Sequence, residues 1–455
     1  MYSSHNHLHN FINNIIIIII SIIFLLLNNS ISYKVNLNKF SATGGKFNSE
    51  LCDKWTLNTL SHGLNVQLFN YSNIYQYIPQ ISIIIIAHNE NILILQKTIK
   101  SIMINTNELL MNNRIKEIIL IDDYSNPAIQ MNIGLLNKTI RVLRNPKRMG
   151  LIKSRMNGAR NASGDILVFL DAHIETLNHW LEPLIVQLIS LRKQSRHHHQ
   201  QQQHEESQWI TSEGTSKPLY NAKHFIVSPI ILSTSDKIDY DNIEDNLYLG
   251  GFSWDLIFRW HHVNEVGTVI SPSFEQHETD AYRLIQPRPT PALAGGIFAV
   301  WRDDFFYYGG YDEEMIIWGG ENIELSLRTW MCHGQIEIIP CSRVGHLFRD
   351  QHPYTFPMGK EFTILHNYKR TVLVWFLHEI NSTLAREYLG YFYTRLPEAK
   401  MIPAGDLKSR KLIPTTLNCH SFTWYLENIY PLLRQEAKSI HISQDTYFVT
   451  AFDST

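Results

Sequence analysis

The chain has 455 residues, enough for one large domain or two ordinary ones with a sizeable buried core. Hydrophobic residues make up 44% and charged residues 18%, the proportions of a globular protein. The 40 Lys and Arg nearly cancel the 42 Asp and Glu, so no basic footprint for nucleic acid exists and such a partner is not expected.

The first notable segment, 15–27, is an apolar run broken only by Ser21 and extended backwards by Phe11 and Ile12. From Phe11 it has about the minimum length for a bilayer span; from Ile15 it is nearer a signal-peptide core. It offers no polar face to water. It reads as a membrane anchor, with a cleaved signal peptide and a buried helix as the alternatives. Either of the first two readings sends the rest of the chain into the secretory pathway. There the four cysteines, Cys52, Cys332, Cys341 and Cys419, support one or two disulfides, since they lack the paired spacing of a structural zinc site. The sequons at Asn70, Asn137, Asn161 and Asn381 become glycosylation candidates in the same compartment.

After a polar, irregular stretch to about residue 80, strands and helices alternate. The β-branched run 81–86 reads as a buried parallel strand that ends in Ala87-His88-Asn89-Glu90, with a helix to about residue 104. A second strand, 117–121, ends in Asp122-Asp123, and a short third covers 141–143. Residues 150–162 have helical spacing, stopped by Ser163-Gly164. A fourth strand, 166–170, ends in Asp171-Ala172-His173. Residues 192–217 hold a His/Gln-rich tract that reads as a disordered surface insertion, metal binding being the alternative. Strands are then expected at 225–232, at 294–300 with Gly295-Gly296 at its start, and at 336–339. Helices are expected at 321–331 and 371–380, before an aromatic-rich tail around Trp424. Alternating strands and helices imply an α/β architecture with a mostly parallel sheet.

In open α/β sheets, ligands bind beyond the carboxyl ends of the strands. Here three apolar strands discharge into ionisable residues on one edge. Side chains two apart in extended backbone point the same way, so Asp171 and His173 can converge on one cation. An oxygen and an imidazole nitrogen suit a borderline divalent metal such as manganese. No G-x-G-x-x-G follows the first strand and no P-loop motif occurs, which argues against a dinucleotide cofactor and a P-loop nucleotide site. A sugar nucleotide fits what remains, with Asp123 serving the nucleoside and Asp171 with His173 serving the diphosphate cation. Trp318-Gly319-Gly320-Glu321-Asn322 opens a helix with close backbone approach and an aromatic face. The lone His346, after the 336–339 strand, reads by itself as structural.

These stretches, taken in order with Leu143 to Ala159, Trp180 to Pro183, residues 336–349, Gln351 to Pro357 and Trp424 to Pro431, make the chain resemble the polypeptide N-acetylgalactosaminyltransferases. The resemblance runs from about residue 36 to 433, interrupted by the His/Gln tract. It implies a GT-A fold, a type II Golgi membrane protein with a lumenal catalytic domain, Mn2+, and UDP-GalNAc as donor. It also implies transfer to Ser or Thr hydroxyls of polypeptides with retention of configuration, which initiates mucin-type O-glycosylation. Asp171, His173 and His346 take the metal-ligand positions, with Ala172 between the first two. Asp123 and Arg148 fall at nucleotide-contacting positions. Trp318 lies by the diphosphate and sugar, and Glu321 and Asn322 line the sugar pocket. Gly295 and Gly296 mark where donor sugar and acceptor meet. Arg349, His352 and Tyr354 match a loop that closes over UDP.

The same resemblance divides the chain into a tail and signal-anchor at 1–32, a stem at 33–78, the catalytic domain at 79–433 and a tail at 434–455. Within the catalytic domain, the nucleotide-binding half is expected at about 79–190, the acceptor and sugar half at 220–360, and a helical part at 361–433. The C-terminal ricin-type lectin domain of the family is expected to be missing. Cys332 and Cys419 match a family disulfide. The family's cysteine before the first strand is replaced by Phe69, so Cys341 is either free or paired with Cys52. Ile86 stands where some members place a hydroxyl residue that contacts uracil, and His333 replaces a usual glycine. A non-catalytic peptide-binding relative and a transferase of another UDP-sugar are the competing readings.

Overall fold

The computed structural model describes residues 49–64, 74–130, 139–202, 222–234, 247–263, 284–349 and 355–441. The apolar run at 11–27, the sequons at Asn70 and Asn137, the greater part of the His/Gln tract, and His352 and Tyr354 lie outside the described residues. No helix of the described residues is long and apolar enough to cross a membrane.

In chain order the elements are α1 (Ser49–Leu64), β1 (Ile81–Ala87), α2 (Ile92–Asn105), α3 (Asn107–Met111), β2 (Ile115–Asp122), β3 (Ile140–Arg144), α4 (Leu151–Asn161), β4 (Ile166–Asp171), β5 (Ile174–Thr176) and α5 (Glu182–Gln202). They continue with β6 (His224–Ser233), β7 (Tyr248–Phe252), β8 (Phe258–His262), β9 (Arg288–Pro289), β10 (Phe298–Trp301), α6 (Arg302–Tyr307), α7 (Glu321–Met331) and β11 (Gly334–His346). The C-terminal part is helical: α8 (Lys360–Trp375), α9 (Ser382–Arg395), α10 (Lys408–Thr416), α11 (Phe422–Asn428) and α12 (Pro431–Ala437).

One sheet of nine strands runs β3-β2-β1-β4-β10-β6-β11-β5, with β9 on β11, and β7 and β8 form a separate hairpin. The isoleucine run explains why β1 is central. All seven of its residues are buried, because parallel neighbours flank it and helices cover both faces. Its side chains alternate between two cores. Ile83 and Ile85 face the core that holds Trp55 of α1, Ile99 of α2 and Leu184 of α5. Ile84 and Ile86 face the core of α4, α7 and the C-terminal helices. Each such Ile contributes about 1.5–3 kcal/mol of burial.

Register puts the chemistry on one edge. Ala87 pairs with Asp122 on β2, and Ile86 pairs with Asp171 on β4, so the three strands end level. Beyond β4 the sheet becomes mixed, since β10 is antiparallel to β4 and β6 while β11 is parallel to β6. The short β5 pairs antiparallel with the end of β11, opposing His346 to Ile174.

Several expected boundaries move. The 294–300 strand starts only at Phe298, leaving Gly295 and Gly296 in the preceding turn. The helix expected at 371–380 is α8, which begins at Lys360 and has ended before Phe376. Its middle buries Asn367, Lys369 and Arg370 in polar contacts, which hides its period from a hydrophobic pattern. The 336–339 strand lengthens to thirteen residues through an irregularity between Ile339 and Arg343. Helix α5 carries on through the start of the His/Gln tract to Gln202, where a disordered insertion was expected from residue 192. The stretch before residue 80 contains α1, which docks Cys52, Trp55 and Leu60 into the core. Cys52 bonds to Cys341, which settles the open pairing, and the expected Cys332–Cys419 disulfide is present.

Candidate active site

Three ligand-bearing side chains meet at the strand edge. Asp171 ends β4, His173 follows it, and His346 ends β11; one potential ligand atom from each lies within 4.8 Å of the others. The β5–β11 ladder brings the two histidines together from distant parts of the chain, with Leu347 donating its N–H to the His173 carbonyl at 3.0 Å. Among the described residues this is the one three-residue group with metal-ligand character.

The surroundings suit a cation. Glu90, just past β1, takes His173 Nδ1 at 3.1 Å, which leaves Nε2 as the ring nitrogen available to a cation. A carboxylate behind a histidine in this way fixes its tautomer and raises its basicity. The same Glu90 carboxylate accepts two hydrogen bonds from Arg349, at 2.8 and 3.1 Å. Burial pushes the Glu90 carboxyl up, but these donors outweigh it and hold it at about 2. Burial also opposes ionisation of Asp171; the His346 contact and the Arg155 charge overcome that and hold its carboxyl well below the usual carboxylate range. Two imidazoles, one of them backed by a carboxylate, and one ionised carboxylate are a donor set that fits a divalent metal such as manganese.

Arg155, on the core face of α4 and 1% exposed, joins two parts of the site. It reaches Asp171 Oδ1 at 3.1 Å and Glu321 Oε1 at 3.3 Å. Glu321, at the start of α7, also accepts the Gly319 N–H at 2.9 Å. The turn that carries Trp318 is pinned from behind by Asn367 of α8. Its side chain accepts the Ile316 N–H at 2.7 Å and donates to the Ile316 and Gly319 carbonyls, each at 2.9 Å. Trp318 itself is half-buried. Asn322 donates to the Leu293 carbonyl at 2.9 Å, and Ser326 takes the Leu293 N–H, so α7 holds the turn with Gly295 and Gly296. Gly296 has no alternative. A Cβ there would sit 2.2 Å from Asp171 Oδ1 and 2.4 Å from the Arg155 guanidinium.

Asp123 is buried, and both its oxygens are engaged. They accept from Asn145 Nδ2 at 2.8 Å, Met149 N at 2.7 Å and Gly150 N at 2.8 Å, which closes the 145–150 loop onto β2. Arg148, in that loop, donates to Thr355 at 3.2 Å. At the metal group a cleft is lined by Asp171, His346 and Gly296 together with the aromatic rings of Phe258, Trp260 and Phe348, and the Phe348 ring packs against His346 with centroids 4.5 Å apart.

The structure thus gathers Asp171, His173, His346, Glu321 and Gly296 around one centre, with Arg349 tied to it through Glu90. His352 and Tyr354 lie outside the described residues. Sequence reasoning placed Glu90 at a strand end without its role, and missed Arg155 and Asn367. The signals were an Arg on the apolar face of a helix and an Asn in mid-helix.

Comparison with known proteins agrees with this architecture. Residues 82–222 match the model of glycosyl transferase family 2, and residues 280–353 match that described as the N-terminal domain of galactosyltransferase. The crystal structure of GalNAc-T7 with UDP, GalNAc and Mn2+ superimposes with a TM-score of 0.57 at 29% identity, over 78% of this chain and 57% of that one. Fold and site therefore define a GT-A glycosyltransferase domain. Human polypeptide N-acetylgalactosaminyltransferases 14 and 16 are each 38% identical, over 78% and 79% of this chain, and a Caenorhabditis elegans polypeptide N-acetylgalactosaminyltransferase 4 is 36% identical over 79%. The chain belongs to the polypeptide N-acetylgalactosaminyltransferase family. It spans about half the length of the curated relatives it matches, 55%, 55% and 52% of these three.

Proposed function

We propose that the chain transfers N-acetylgalactosamine from UDP-GalNAc to Ser and Thr hydroxyls of polypeptides, with retention, in the Golgi lumen behind an N-terminal membrane anchor. The observation that carries this reading is the Asp171, His173 and His346 group, backed by Glu90 and opening on a cleft that Phe258, Trp260 and Phe348 also line. Asp171, His173 and His346 would hold Mn2+, which when bound supplies Lewis-acid stabilisation to a departing diphosphate.

The chain's own residues account for the remaining steps. Asp123 rigidifies the 145–150 loop, which supports its role on the nucleoside side together with Arg148. Arg155 and Asn367 preorganise the turn carrying Trp318 and Glu321, whose groups meet the diphosphate and sugar. Arg349 is held by Glu90 beside His173, where it would add positive charge toward the leaving oxygens, and His352 and Tyr354 are assigned to UDP contact with it. Gly295 and Gly296 keep the cleft floor open where sugar and acceptor meet. Phe258, Trp260 and Phe348 offer apolar faces for a peptide backbone and its side chains, which would otherwise keep their water. The attacking hydroxyl approaches the face that the diphosphate leaves, and its proton passes to the departing phosphate oxygen. Exclusion of water from the closed site directs the sugar to the peptide.

The test is product analysis. UDP-GalNAc, Mn2+ and a Ser/Thr-rich peptide should give a peptide heavier by one N-acetylhexosamine with the α anomer. Exclusive use of a different UDP-sugar, or a β-linked product, would contradict the reading.

A further inference from the structure

Two sequons, Asn161 and Asn381, fall within the described residues, and their surroundings differ. Asn381 is the N-cap of α9. Its Oδ1 accepts the N–H groups of Thr383 at 2.9 Å and Leu384 at 3.3 Å. Among the described residues its Nδ2 has no partner, and Asn381, Ser382 and Thr383 are all exposed. The preceding Ile380 is 98% exposed, an apolar side chain left standing in water.

Asn161 is closed off by comparison. Its Nδ2 donates to the Asn157 carbonyl and to Asn157 Oδ1, both at 2.9 Å. The hydroxyl and N–H of Ser163, the third sequon residue, are bound by Glu117 at 2.8 and 2.7 Å. Arg141 holds the Asn161 carbonyl at 3.3 Å.

We propose that Asn381 is an N-glycosylation site, occupied in preference to Asn161. The proposal rests on the secretory reading above. A new bond joins Nδ2 to the anomeric carbon of an oligosaccharide, and the bond from that carbon to a lipid pyrophosphate donor breaks. The amide gives up one proton, and the lipid pyrophosphate leaves. An N-linked asparagine keeps its carbonyl oxygen, so the cap on α9 survives the modification. The one atom that changes is the one the fold leaves free, and the glycan stands over Ile380. At Asn161 the same chemistry removes a hydrogen that the fold uses.

The full chain, expressed in secretory eukaryotic cells, is treated with an N-glycan amidase in heavy-oxygen water and its peptides are weighed. Occupancy at Asn381 should exceed that at Asn161. Thr383→Ala should remove the modification and leave the Asn381 cap in place, whereas Thr383→Ser should keep both. Protease protection in intact microsomes separates the two ideas. A digested chain overturns the secretory reading and the site with it. A protected chain with Asn381 bare, or occupied no more than Asn161, overturns the site alone.

Discussion

Glu90 offers the sharpest perturbation, because one carboxylate serves both His173 of the candidate metal group and Arg349. Glu90→Gln preserves size while removing the charge. A neutral amide has one acceptor oxygen, so it cannot satisfy both His173 Nδ1 and the two-point Arg349 contact that the carboxylate makes now. Arg349 is 18% exposed and can turn to water, so the fold should persist. Removal of a group that orients a metal ligand lowers metal affinity about 10–100-fold, or about 1.4–2.7 kcal/mol. Free Mn(II) measured by electron paramagnetic resonance during titration reads this directly. Arg349→Ala is the control: it leaves the Glu90–His173 contact, so Mn(II) affinity should hold while turnover falls. Glu90→Gln with wild-type Mn(II) affinity would refute the role given to Glu90.

Gly296→Ala should abolish Mn(II) binding and turnover while far-ultraviolet circular dichroism stays native, since its Cβ displaces Asp171 and Arg155. Glu337, fully buried between Gln187 and Gln335, has its carboxyl pushed up by burial to about 7. A raised folded value stabilises fully below the unfolded value near 4.5 and is lost as pH rises through about 7. Glu337→Gln should therefore gain on wild type above neutral pH, by up to about 3 kcal/mol at pH 8, read from denaturant midpoints. Cys332→Ser with Cys419→Ser should cost about 2–5 kcal/mol, because that bond closes a loop of sequence separation 87. Trp260→Ala should raise the KM for peptide and leave that for UDP-GalNAc, because Trp260 lines the cleft at Asp171 and His346 without being one of the metal-ligand group.

Much of this fold was legible where physics concentrates in sequence. Apolar runs mark β1, β2 and β4, and their polar ends mark the site edge, because buried parallel strands have nowhere else to put charge. Asp171 and His173 were paired by the period of extended backbone, although residues 172–173 form the turn between β4 and β5. His346 was not so paired, since it joins them through a ladder between β5 and β11 that no local pattern encodes; the family resemblance supplied it. Glu90 was visible at its strand end, but its partner lies 83 residues away and Arg349 259 residues away. Helix α8 was misplaced because its buried polar residues serve Asp312 and the Trp318 turn, so function overrode amphipathic pattern there. Cys52 was left open because only the docking of α1 decides whether it reaches Cys341.

Calorimetry of UDP-GalNAc binding, with and without Mn2+, tests the central claim most directly. The wild-type chain should bind the donor in a Mn2+-dependent way, and His173→Ala should lose that dependence together with turnover. Mn2+-independent donor binding, or a His173→Ala variant that keeps wild-type Mn2+ dependence, would contradict a cation held by Asp171, His173 and His346 before a sugar-nucleotide diphosphate.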